Sequence, residues 1–99
     1  MKPLPFRDDM LEAIRAGRKS CTARTKRFGK PGDLLDTQGA GTVRLVSVEK
    51  LPLAVVRDEH WAQEGMSSPE DFVRVWAEIH SHKGFVPDQM VWLHTFEPA

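Results

Sequence analysis

The residues from Gly17 to Arg24, GRKSCTAR, set a hydroxyl, Thr22, and the only thiol of the chain, Cys21, inside its most basic stretch. Residues 15 to 30 hold Arg15, Arg18, Lys19, Arg24, Lys26, Arg27 and Lys30, half of the 14 basic residues, and no acid falls between Ala13 and Gly32. A hydroxyl attacks a carbonyl only when a base takes its proton, and a lysine crowded by other cations gives its proton up more readily. Lys19 is therefore a candidate base for Thr22. Amide hydrolysis also needs a stabiliser for the tetrahedral oxyanion and a proton donor for the leaving amine. A cysteine nucleophile would want a partner histidine, and none is local, so Cys21 reads as an inward-packed residue beside Ala23. His60, His80, His82 and His94 invite a metal. Yet His80 and His82, two apart at a helix end, point in different directions, and no carboxylate cluster completes a set; no metal and no cofactor is expected.

Such residues need elements to hold them. Ninety-nine residues make one domain with one modest core, 1–99 throughout, and no linker, repeat or low-complexity run divides it. No eighteen-residue apolar run and no signal-peptide pattern occur, and a single cysteine suits a reducing compartment, so a cytoplasmic, membrane-free protein is expected, a monomer by default. RDDMLEAIRAG places Met10, Leu11 and Ile14 on one face, acids in the first turn and Gly17 at the stop, which predicts a helix. Strands are predicted near 20–26, 33–37, 42–51 and 90–97, with KPGD as a turn. RDEHWAQEG reads as a short helix ended by Gly65. SSPEDFVRVWAEIHSH reads as a longer one, capped by Ser68, opened by Pro69 and buried along Phe72, Val75, Trp76 and Ile79. Lys19 does not share a strand face with Thr22 and Arg24, so it must lie in the turn before the strand to meet Thr22.

GRKSCTAR resembles the G-x-K-x-x-T-x-R signature of the ASCH domain family, and the GD at Gly32 and Asp33 and the HWAQEGM stretch follow in the family's order. The resemblance runs along most of the chain. It implies an α+β fold, a small PUA-like β-barrel of about five to six strands with two or three helices covering its mouth, the first of them packed across it. Within the family the chain looks most like the compact bacterial amidohydrolases that deacetylate N4-acetylcytidine. That likeness implies a working triad of Lys19, Thr22 and Glu64, with Arg24 binding substrate or shaping the site and Gln63, Ser20, Arg18 and Phe28 as further substrate contacts. Glu64 would protonate the leaving nitrogen if it carries a proton, or hydrogen-bond the cytosine edge if ionised. The segment HSHKGFVPDQ departs from the family's pattern and bears on substrate choice.

Two classes of function follow. The first is an amidohydrolase acting on an acylated cytosine nucleoside. The second is a noncatalytic RNA-binding module using the same cleft, with RNA drawn to the basic segment Arg15 to Lys30 and Phe28 as a stacking surface. A ribonuclease is a third reading, with no histidine pair or acidic metal cluster to favour it. Trp61, Trp76 and Trp92 read as core.

Overall fold

A computed structural model describes residues 1–99. In chain order the elements are β1 (Lys2–Pro3), α1 (Asp8–Arg15), β2 (Cys21–Arg24), β3 (Leu34–Asp36), β4 (Thr42–Pro52), α2 (Leu53–Glu59), α3 (Pro69–Ile79) and β5 (Met90–Pro98). The architecture is α+β, one five-stranded sheet in the order β1-β3-β4-β5-β2 with three helices. All strand pairs are antiparallel except β1 with β3. The long central pair β4–β5 carries a bulge between Leu45 and Ser47, which leaves Val46 exposed and bends the strand. Arg24, at the end of one edge strand, donates from Nη2 to the carbonyl of Pro5 just past the other edge strand at 2.7 Å. The two edges of the sheet are thereby tied together, as a barrel-like domain requires.

Successive side chains of β5 point to opposite faces of the sheet, and both faces are partly buried, so the strand feeds two cores. Val91 and Leu93 join Cys21, Ala23, Leu53, Val56, Phe72 and Trp76 beneath α2 and α3. Phe96 joins Leu4, Leu35, Val43 and Leu45, with Phe6, Ile14 and Phe28 packed against them. α1 follows its sequence pattern, with Asp8 and Asp9 in the first turn, Arg15 in the last and Leu11 buried. No helix is long and apolar enough to cross a membrane.

Three expectations are corrected. The helix expected over 57–65 lies earlier, at Leu53–Glu59, because β4 runs straight into it at Pro52 and its apolar anchors are Leu53 and Val56. Residues 60–65 are instead a turn, closed by hydrogen bonds from Glu64 N to the His60 carbonyl and from Gly65 N to the Ala62 carbonyl. α3 is capped by Ser68, whose Oγ accepts from Asp71 N at 3.0 Å, but it stops at Ile79 rather than His82, and Ile79 is exposed. The short strand β1 carries no alternation long enough to be read from sequence.

Candidate active site

The site is built on the free edge of β2. Just before that strand, Lys19 pairs with Glu64 in a single antiparallel bridge, and the Ser20 and Cys21 amides both donate to the Gln63 carbonyl, at 2.8 and 3.2 Å. Glu64 is thus fixed by the turn of residues 60–65, not by a helix. Lys19 Nζ donates to Glu64 Oε1 and to the Glu64 carbonyl, both at 2.9 Å, and Glu64 Oε2 accepts from the Ala23 amide at 2.8 Å. Both side chains are almost wholly buried, 2% and 4% exposed, which only a paired and hydrogen-bonded set of charges tolerates. Gly65, at φ +88°, permits the close approach: a Cβ there would stand 3.1 Å from the Lys19 Cβ.

Thr22 is buried, and its Oγ1 accepts from Arg24 Nε at 3.1 Å, so its own proton is free to be donated. The Arg24 guanidinium lies between two rings, 4.7 Å from the Phe6 centroid and 5.3 Å from that of Phe28. Burial draws its pKa below the ordinary arginine value, and the Glu64 carboxylate works against that shift. The anion beside the Lys19 ammonium replaces the crowd of cations expected from sequence. Lys19 and Thr22 share no hydrogen bond; each is held by another partner, Glu64 and Arg24.

These side chains line a cavity of about 690 Å³, well within the size range of small-molecule sites. Its lining includes Pro5, Phe6, Met10 and Phe28, together with Phe72 and Trp76 of α3 and His80 just past that helix. The Trp76 and His80 rings stack at 4.0 Å. Of the residues singled out by sequence, Lys19, Thr22, Glu64, Arg24 and Phe28 meet here. Ser20, Gln63 and Arg18 do not line the cavity: Ser20 and Gln63 serve through their backbones in the joint between β2 and the turn, and Arg18 is exposed. Phe28 is half-buried against the guanidinium rather than a free stacking surface. Phe6 escaped sequence reasoning because it belongs to no motif, His80 was weighed only as a metal ligand and not as a cavity residue, and Trp76, read as core, is both core and wall. Cys21 is buried on the other face of β2, where burial first and the Glu64 charge second push its thiol far above the ordinary range. A thiol so placed stays protonated at neutral pH, which disfavours attack by it.

No family model matches the chain, and no curated protein does. Solved structures do. The hypothetical protein PH0355 is similar over the full length of both chains at 21% identity, with a TM-score of 0.77. Protein EF3133 of Enterococcus faecalis V583, a DUF984 protein, has a TM-score of 0.72 at 20% identity, over 98% of this chain and 80% of its own. An ASCH domain from Lactobacillus crispatus has a TM-score of 0.71 at 17% identity, over 97% of this chain and 77% of its own. The class is therefore a small α+β domain with a buried polar site at a sheet edge. Its fold is that of the ASCH domain.

Proposed function

We propose that the chain is an amidohydrolase that removes the acyl group from N4-acetylcytidine or a related N-acylated cytosine nucleoside. The observation that carries this reading is the buried Lys19–Glu64 pair, 2.9 Å apart, opening onto the same cavity as the Thr22 hydroxyl. Transfer of one proton from Lys19 to Glu64 across that hydrogen bond turns the ion pair into an amine and a carboxylic acid. The amine, reaching Thr22 Oγ1 after a rotamer change or through one water, takes the hydroxyl proton as Oγ1 bonds to the acyl carbon. Arg24 adds a positive charge beside the point where the oxyanion forms. The carbon–nitrogen bond then breaks, the Glu64 acid protonates the departing N4 amine, and the ion pair is restored. Water hydrolyses the threonyl ester to acetate and frees Thr22. The aromatic walls suit a flat heterocycle.

Purified protein incubated with N4-acetylcytidine is expected to release cytidine and acetate in equal amounts, followed by chromatography. Intact substrate after prolonged incubation would overturn the reading.

A second reading, RNA binding, is favoured by one feature. Trp92, half-buried on β5, has the Arg27 guanidinium and the Lys50 ammonium each 5.4 Å from its ring centroid. Lys30, grouped with these cations by sequence, is engaged with Asp33 at 3.2 Å. Arg27→Ala is thus the sharper test: it should weaken binding of a short single-stranded RNA and flatten its salt dependence while nucleoside hydrolysis stays nearly intact. Parallel loss of both would make Arg27 part of the active site.

A further inference from the structure

His94 is the one fully buried histidine, and the mechanism above does not use it. It lies on β5 opposite Thr22 of β2 in the strand register. The Phe28 backbone amide, which can only donate, points at its Nε2 at 3.0 Å, so Nε2 must hold a lone pair. The ring's one proton then sits on Nδ1, 3.3 Å from the Thr22 carbonyl, to which it donates. A single neutral tautomer therefore joins two parts of the site that sequence separates: the strand residue bearing the hydroxyl and the loop residue that walls the Arg24 guanidinium. The Phe28 ring completes the packing edge-on to the imidazole at 5.9 Å.

We infer that His94 is a positioning residue, holding Thr22 and Phe28 in register for reaction while its ring is neutral and letting the Phe28 wall go when Nε2 is protonated. This rests on the amidohydrolase reading of the site. A proton on Nε2 would place two donors nose to nose across 3.0 Å, and the amide would lose its only side-chain acceptor. Burial opposes protonation most, and the charges that face the ring, Arg24 from β2 and Arg27 from the following loop, are both cations and oppose it further. The Thr22 carbonyl and the Trp92 backbone favour it, and the balance lies below the ordinary histidine value. The site should accordingly stay assembled at neutral pH and loosen only on the acid side.

The test has a structural and a kinetic arm, both on the full chain. Nitrogen-15 NMR of the imidazole should show the proton on Nδ1 at neutral pH, and the protection of the Phe28 amide, its exchange rate compared with the intrinsic rate at each pH, should fall as the pH drops through the titration of His94. In the kinetic arm, kcat/KM for N4-acetylcytidine should decline on the acid side with the same midpoint. His94→Phe should lose roughly tenfold to a hundredfold in kcat/KM, the scale expected when a distant change misplaces reacting groups by about 1 Å. His94→Gln, which keeps an acceptor for the Phe28 amide but does not titrate, should restore most of that loss and move or abolish the acid limb. A proton on Nε2 at neutral pH, a Phe28 amide indifferent to the ring, or an acid limb unchanged in His94→Gln would each overturn the inference. A chain that hydrolyses no acylated nucleoside would overturn the amidohydrolase reading instead, and the Phe28 amide would still decide for or against the joint.

Discussion

Lys19 and Glu64 keep opposite charges out of water only because each answers the other, with the Ala23 amide and the Glu64 carbonyl taking the remaining bonds. Removing one partner leaves a buried charge alone. Lys19→Met or Glu64→Gln should each cost about 3–5 kcal/mol in urea unfolding, while the double variant should recover most of the stability and none of the activity. Thr22→Ala carries no buried charge, so it should lose roughly two orders of magnitude or more in turnover at small cost in stability. Adding Lys19→Ala to it should make turnover little worse, since groups that act as one unit fail together. Cys21→Ser, away from the cavity, is the control that should keep most activity. If the serine variant dies while Thr22→Ala survives, the nucleophile has been misassigned. At this scale the sequence was most legible: GRKSCTAR and HWAQEGM named the residues that meet. Which of them bond to one another was less legible: the resemblance grouped Lys19, Thr22 and Glu64, but a linear reading surrounds Lys19 with cations and does not show that Glu64 alone answers it while Arg24 holds Thr22.

Local signals settled some elements and misled in others. α3 was readable because cap, proline and apolar stripe agree, and α1 because its charges suit the helix dipole. The segment 60–65 was not, since its alanine and acid suit a continued helix while its tertiary role is a turn that offers Glu64 and the Gln63 carbonyl to β2. That role puts the demand on Gly65. Gly65→Ala would combine a side chain at φ +88° with a Cβ crowding those of Lys19 and Ala13, and should cost about 1–3 kcal/mol and reduce turnover by displacing Lys19. Ser68→Ala, which removes the α3 cap at a residue that does not itself line the cavity, should cost about 1 kcal/mol and change kcat/KM little. Urea midpoints and kcat/KM measured on both variants separate the two effects. A Gly65→Ala protein that is destabilised yet fully active would show that the close packing on Lys19 does not position it.

For the whole molecule, buried and paired groups make stability depend on pH with a sign that can be worked out. His94, neutral within the sheet, has its pKa held below the ordinary 6.5 chiefly by burial. On unfolding, the ring regains the ordinary value. Between the two values the unfolded chain binds a proton that the folded ring refuses, so stability falls as pH drops below 6.5 and this contribution levels off once the folded ring is itself protonated. His80, shifted the same way by burial but partly exposed, adds a smaller part of the same sign. A second set acts lower. Asp9 and Asp71 are held below the ordinary 3.8, chiefly by hydrogen bonds from Arg7 and Arg74, and their stabilisation is present above 3.8 and lost as pH falls toward their folded values. Denaturation should therefore fall in two stages, one beginning near pH 6.5 and one below pH 4. Urea midpoints taken from pH 8 to pH 3 should show both in the parent chain, and the first stage should shrink in His94→Gln while the second persists. A first stage of equal size in both proteins would mean that the acid-side loss arises elsewhere than in the buried ring that joins β2 to the Phe28 loop.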